Sequence, residues 1–265
     1  MHLSKIHTYP IKSTHPLSAQ STYLLTTGIA LDRHWMVIDA NNAMVTSRKR
    51  PKLLHVLTRV EGDCLRVIIE HQEFLLPLTV EPNTPIMVKH WAQEPLTAWP
   101  QNEALDTALS AYLEMDCRVV YSASLHSKSS NDGVSFADAQ PVLLTTTASL
   151  AALNMRLDVP VGMGRFRSNL VIDNVIADVE DAWKRIRIGE CELEVTYPCE
   201  RCVLTTIDPE TLTKHQHQEP LRTLATYRKL PQGGVGFGVN LIVVRPGPIC
   251  VGDTLEVLSY AATAH

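Results

Sequence analysis

Several absences narrow the reading of this chain before any motif is considered. No segment approaches the ~18 consecutive apolar residues of a membrane helix. The opening MHLSKIHTYPIKS also lacks the apolar stretch of a signal peptide. The expected location is therefore the cytoplasm, with no membrane partner. The formal net charge is −4, so no global basic field argues for a nucleic-acid partner. The one dense basic run, Arg48-Lys49-Arg50 with Lys52, reads as a solvated loop. No internal repeat with a period of roughly 20–50 residues is evident, and there is no low-complexity linker. Six cysteines are present, but only Cys199 and Cys202 are close-spaced. In a reducing compartment all six should stay thiols, and the other four read as small buried hydrophobes.

What is present is the material of a full-sized core. Of 265 residues, 45% are hydrophobic and 20% charged, enough for one large domain or two ordinary ones. Short runs rich in Val, Ile and Leu dominate: HWMVID, LLHVLTRV, CLRVIIEH, IMVKHW, CRVVYS, NLVID, LIVVR and TLEVL. Gly, Pro, Asn and Asp signals separate them, as expected for strands. One hairpin is legible in detail. Ile186 and Ile188 alternate with Arg185 and Arg187, Gly189-Glu190 makes a two-residue turn, and Cys191, Leu193 and Val195 alternate with Glu192 and Glu194. Gly in the first turn position suits a type II′ turn.

Three helices are expected, in QNEALDTALSAYLEM, TTTASLAALNMRL and EPLRTLATYRKL. The first carries Leu105, Ala108, Leu109, Tyr112 and Leu113 on one stripe. The second has Thr candidates for its N-cap, and the third has Pro220 in its first turn. Too few strands are separated by helices for a doubly wound parallel sheet. The expected fold is mainly β with some helices (α+β), mostly antiparallel and barrel-like, divided near residue 120 into segments 1–120 and 121–265.

The cysteine pair in TYPCERCVLTTIDPET admits several readings. Structural zinc needs four ligands, and His215 and His217 lie downstream, but they are spaced by a single residue instead of three to five. A redox dithiol would sit at a helix N-terminus, whereas CVLTTID reads as a β-branched, strand-like run. A single thiolate at a strand end, with Arg201 beside Cys202, suits nucleophilic attack, sulfur carriage or ligation of a soft metal. Two packed core cysteines are the plain alternative.

The ordered motifs resemble the MOSC superfamily, in its form with an N-terminal MOSC-associated β-barrel joined to a MOSC domain. That group includes the mitochondrial amidoxime reducing component and bacterial reductases of N-hydroxylated bases. The resemblance runs through YPIKS (9–13), GIALDRHWMVID (28–39), VTSRKRPKL (45–53), FADAQPVLLTTTASLAALN (136–154), GRFRSNLVID (164–173), PCERCVLTTIDPET (198–211), EPLRTLATYR (219–228) and FGVNLIVVRPGPICVGDTLEV (237–257). It implies two β-barrel-like domains and a molybdenum cofactor (Mo-molybdopterin), whose metal takes Cys202 as its protein ligand. Pyridoxal phosphate binding is also attached to the superfamily as a whole. Lys12, Ser13, Arg33, Asp138, Arg167, Asn169, Arg201 and Asn240 match positions implied to hold the cofactor. Among them Arg33 is expected at the phosphate, where a planar guanidinium can grip two oxygens. Arg48 matches a family arginine without an assigned contact.

Departures from the pattern are Glu200 between the cysteines, and Ala139 and Gln140 where relatives carry hydroxyls. Glu200 is expected to face solvent. The chain also lacks the Cys-x4-Cys-x2-Cys spacing of a ferredoxin domain. The implied activity is reduction of N-hydroxylated compounds, with electrons from a separate flavin or iron–sulfur protein. The rival reading is a non-catalytic sulfur carrier or cofactor-binding protein that uses the same Cys202.

Overall fold

Period-two patterning is realised in most of the runs that carry it. The computed structural model describes residues 1–80, 84–91, 94–122 and 135–262. Within these the protein is mostly β, with three α-helices: α1 (Glu103–Leu113), α2 (Thr147–Asn154) and α3 (Leu221–Leu224). No helix among the described residues is long and apolar enough to cross a membrane. The chain forms two compact units. One comprises Met1–Thr8, Ser18–Ala30 and Ala139–His265, and the other Tyr9–Leu17 and Leu31–Asp138.

The first unit is built on an eight-stranded sheet. Its order is Leu255–Tyr260, Trp183–Ile188, Cys191–Glu200, Gly236–Arg245, Val142–Thr146, Leu170–Asp173, His2–Thr8 and Leu17–Ala19. The expected hairpin is formed, with Ile188 opposite Cys191 and Gly189 at φ +55°. Positive φ at the first turn position alone is what a type II′ turn requires. Strands Val142–Thr146 and Leu170–Asp173 pair in parallel, and α2 lies in their connection. Its N-cap is Thr146, whose hydroxyl accepts from the Ser149 N–H at 3.0 Å. The core of this unit gathers the inward residues of the sheet, among them Leu3, Leu144, Trp183, Ile186, Leu193 and Leu241.

The second unit holds a four-stranded antiparallel sheet of Trp35–Asp39, Cys117–Ser122, Leu96–Pro100 and Ile86–Val88, and a three-stranded one of Leu57–Glu61, Cys64–Ile69 and Gln72–Pro77. Helix α1 buries Leu105, Leu109 and Leu113, with Ala108 and Tyr112 packed beside them, the stripe its sequence predicts. Asn102 caps it by accepting from the Leu105 N–H at 2.9 Å. Asp106 then ties the helix to the sheet by accepting from the Val119 N–H at 2.7 Å.

Three local expectations are corrected. The LLH of LLHVLTRV lies in a 3-10 turn, Pro51–His55, with Val56 as its C-cap, and the strand begins only at Leu57. Pro51 supplies the fixed φ that favours such a start. The run after Cys202 is a 3-10 turn too, Val203–Thr206, where a strand was expected. There the Thr205 hydroxyl bonds back to the Cys202 carbonyl at 3.0 Å, and the Thr206 hydroxyl to Val203 at 2.7 Å. Such local hydroxyl bonds compete with sheet pairing. Helix α3 is a single turn, with Pro220 as its N-cap rather than inside its first turn.

Candidate functional site

In the first unit, Cys202 follows the long strand Cys191–Glu200 directly. The strand's last residue pairs with Gly236, and the Arg201 N–H donates to the Val235 carbonyl at 2.8 Å, so the backbone is held up to the residue before Cys202. The Cys202 carbonyl then accepts from the Thr205 N–H at 3.1 Å and from its hydroxyl. Backbone on both sides is fixed, while the half-buried thiol itself makes no hydrogen bond among the described residues.

Arg201 does not serve that thiol. Its guanidinium donates to Cys199 Sγ at 2.8 Å and to the Phe166 carbonyl at 2.6 Å. The expectation that Arg201 supports the charge of Cys202 is corrected by these contacts: the side chain turns back along the chain to the other cysteine. Its Nε is buried with no hydrogen-bond partner among the described residues. Phe166 ends the 3-10 turn Met163–Phe166, and Arg167 follows it at φ +54°. Arg165 from the same turn pairs with Asp208 at 2.9 Å and reaches the Thr205 carbonyl at 3.4 Å. Arg165 and Arg201 thus bolt the segment carrying Arg167 against the turn that follows Cys202.

The two asparagines differ. Asn169 is buried, its Oδ1 accepts from the Leu143 N–H and its Nδ2 donates to the His7 carbonyl, both at 3.1 Å. It joins neighbouring strands of the sheet. Asn240 is 3% exposed, and its amide makes no hydrogen bond among the described residues. Glu200 is exposed, as expected. Its carboxyl lies where a Cβ on Gly234 would stand, 2.3 Å away.

In the second unit, Arg33 has φ +53° and Ser13 φ +72°, backbone that costs a non-glycine residue about 1 kcal/mol or more and gathers at functional sites. Arg33 pairs with buried Asp32 and lies 4.5 Å over the Tyr9 ring. Burial opposes the Arg33 charge, but Asp32 outweighs that and raises its pKa. Lys12 is buried, donates to the Phe136 carbonyl at 2.7 Å and pairs with Asp138. Asp138 also accepts from the Trp91 indole N–H at 3.1 Å, and the Arg48 guanidinium sits 4.3 Å over that indole. Withdrawal from water works to raise the Asp138 carboxyl, yet Lys12, Arg33 and Arg48 together hold it well below the usual carboxylate range.

Sequence reasoning missed Asp32 and Trp91. Asp32 was visible as the partner of Arg33 in LDRHW. Trp91 carried no signal beyond ending a strand-like run, and its φ of +54° appears only in the fold.

Among the described residues no three His, Cys, Asp or Glu side chains converge to hold a metal. Cys199, Cys202, His215 and His217 therefore form no four-ligand zinc site. His215 instead accepts through Nδ1 from the His217 and Glu219 N–H groups.

Comparison with known proteins matches residues 1–116 to the MOSC N-terminal beta barrel domain and residues 131–256 to the MOSC domain. Mitochondrial amidoxime-reducing component 1 of Mus musculus is 32% identical, over 97% of this chain and 82% of its own length. The chain belongs to the MOSC family. Within it, the proteins of the same name from Danio rerio and Homo sapiens are 33% and 30% identical, each over 97% of this chain. The alignments cover 85% and 82% of those relatives.

In the first unit, the Cys202 thiol, which makes no hydrogen bond among the described residues, and the Arg201 Nε are groups that a soft metal and a polar ligand would satisfy. In the second unit, taken by itself, buried Lys12 and the mostly buried Arg33 suit anionic oxygens. A buried amide or guanidinium N–H without a partner costs on the order of 1–3 kcal/mol, a cost a polar ligand removes.

Proposed function

We propose that this MOSC protein reduces N-hydroxylated compounds of the amidoxime and hydroxylamine type, using a molybdenum cofactor with Cys202 as the metal's protein ligand. The observation that carries the reading is the Cys202 thiol, half-buried and unbonded between two fixed stretches of backbone. The chain bearing it is 32% identical to an amidoxime-reducing component along nearly its whole length.

When bound, the cofactor would supply the two electrons that, with two protons, turn an N–OH into N–H and water. The chain's residues supply position and charge. Cys202 would present sulfur to a soft metal from a site that backbone bonds keep still. Asn240 and the Arg201 Nε would donate to the cofactor's polar edge, and Arg167 would add a cation beside them. Lys12, Ser13 and Arg33 are proposed for the phosphate. Asn169 serves the sheet, and Cys199 is proposed to anchor Arg201. Electrons are proposed to come from a separate flavin or iron–sulfur protein.

The test is elemental analysis of protein expressed with abundant molybdenum, beside Cys202→Ala, followed by turnover of an aromatic amidoxime with an artificial electron donor. Near-equimolar molybdenum that disappears in the variant, with amidine formed by the parent, supports the reading. Equimolar zinc overturns it. Molybdenum without turnover leaves the cofactor-binding alternative in its place.

A further inference from the structure

Cys202 opens the 3-10 turn Val203–Thr206, whose own bonds are local. Such a turn keeps its shape by itself, but its seat is decided by contacts with other elements. The stretch behind it is also closed on itself. The Asp208 N–H donates to the Thr213 carbonyl at 2.9 Å, the Leu212 N–H to the Asp208 carbonyl at 2.8 Å and the His215 N–H to the Thr206 carbonyl at 2.8 Å. One Asp208 carboxylate oxygen accepts from the Glu210 and Thr211 N–H groups at 2.8 and 3.2 Å. Residues 203–215 thus form one block, with the thiol at its head.

This block meets the 3-10 turn Met163–Phe166. Arg165 donates to the other Asp208 oxygen at 2.9 Å and to the Thr205 carbonyl at 3.4 Å, and its side chain is only 10% exposed. Gly164 faces Pro209, where a Cβ would lie 3.8 Å from the proline ring. Burial works to raise the Asp208 carboxyl, but the Glu210 and Thr211 N–H groups and Arg165 hold it below its ordinary value. Both partners therefore carry charge, and losing either leaves the other partly desolvated and unmatched. Arg201 secures the strand side of Cys202. Arg165 secures the other side.

We propose that Arg165 and Asp208 are a positioning pair, which seats the turn behind Cys202 and so sets where the Cys202 thiol stands. Arg167 caps the same turn as Arg165, so the pair also holds Arg167 in place against the block. That placement is a property of the metal-free chain. Its use, to present sulfur to a metal, rests on the function proposed above.

The experiment alkylates the metal-free full-length protein with iodoacetamide at one pH and follows each cysteine by peptide mass spectrometry. Arg165→Gln, Asp208→Asn and the double variant are compared with the parent. Asp208→Asn is the milder change, because an amide oxygen still accepts from the Glu210 and Thr211 N–H groups. Each variant should modify Cys202 about fivefold faster, the weight of one partly buried ion pair on local opening. The double variant should match the single ones, since all three lose the same contact. Exposed Cys250 and buried Cys117 and Cys191 should keep the parent's rates. An unchanged Cys202 rate overturns the proposal. Equal acceleration at Cys117 and Cys191 also overturns it, because the variants would then merely weaken the whole fold.

A purely electrostatic role gives a different pattern. Losing a nearby cation raises a thiol's pKa and slows alkylation, while losing an anion does the reverse. Seating predicts acceleration in both single variants; changes of opposite sign overturn it. Arg165→Lys keeps the charge but loses the fork that reaches two acceptors, so its rate should fall between those of the parent and Arg165→Gln. The ligand assignment fails separately. Molybdenum retained by Cys202→Ala would remove it and leave the alkylation result standing.

Discussion

Arg201 donates to Cys199 Sγ at 2.8 Å, and this contact divides the labour of the cysteine pair. A guanidinium fork between Cys199 and the Phe166 carbonyl fixes the strand end to the neighbouring 3-10 turn and leaves Cys202 open.

From that division, Cys199→Ser should keep its molybdenum and Cys202→Ala should lose it. Arg201→Ala should lower the melting temperature of the metal-free protein by a few degrees, since it strands the Phe166 carbonyl at a cost of about 1–2 kcal/mol. Metal content and thermal melting of the three variants check this. Equal loss of molybdenum from both cysteine variants would assign ligand roles to both.

The asparagines should separate in the opposite sense. Asn169→Ala removes bonds to the Leu143 N–H and the His7 carbonyl and should cost about 2–4 kcal/mol of stability. Asn240→Ala removes an amide that makes no hydrogen bond among the described residues, so metal-free stability should change by less than about 1 kcal/mol while molybdenum retention falls. Urea denaturation and metal analysis decide between the two behaviours.

Glu180 makes stability pH-dependent. Its side chain is fully buried and accepts from the Ser149 hydroxyl at 2.8 Å, with Asp178 and Asp181 alongside and Arg228 paired to both aspartates. Burial pushes its carboxyl up to about 7 from an ordinary 4.5. The folded state therefore keeps a proton that the unfolded state releases, and unfolding free energy falls as pH rises from about 4.5 to about 7. The loss is on the order of 3 kcal/mol. Urea midpoints at pH 5 and pH 7.5 should differ less in Glu180→Gln than in the parent. An identical difference in both would place the titration elsewhere.

Gly238 sits inside the strand Gly236–Arg245 at φ +74°, and a Cβ there would stand 2.5 Å from the Leu144 carbonyl oxygen. Gly238→Ala should destabilise the protein by roughly 2 kcal/mol or more, from backbone strain and from prying apart two paired strands. Denaturation of the variant tests this; a change under about 0.5 kcal/mol would mean the strands yield at little cost.

Elements whose signal is local were legible in the chain. The hairpin over 183–200 follows from alternation and one glycine, and α1 from its leucine stripe and its asparagine cap. Elements where a local preference competed with pairing were misread: the hydroxyls of Thr205 and Thr206 turn CVLTT into a 3-10 turn, although its β-branching favours a strand.

What the sequence by itself determined is the family and the mainly β fold, and it named Cys202 as the ligand proposed here. Each rests on residue types in a fixed order. Only the tertiary structure decided the partners: Lys12 with Asp138, 126 positions apart, Asn169 with His7, 162 apart, and Arg201 with Cys199 rather than Cys202. Contacts over such separations follow from strand order and register. They are set by burying a whole core at once, and no stretch of sequence carries them alone.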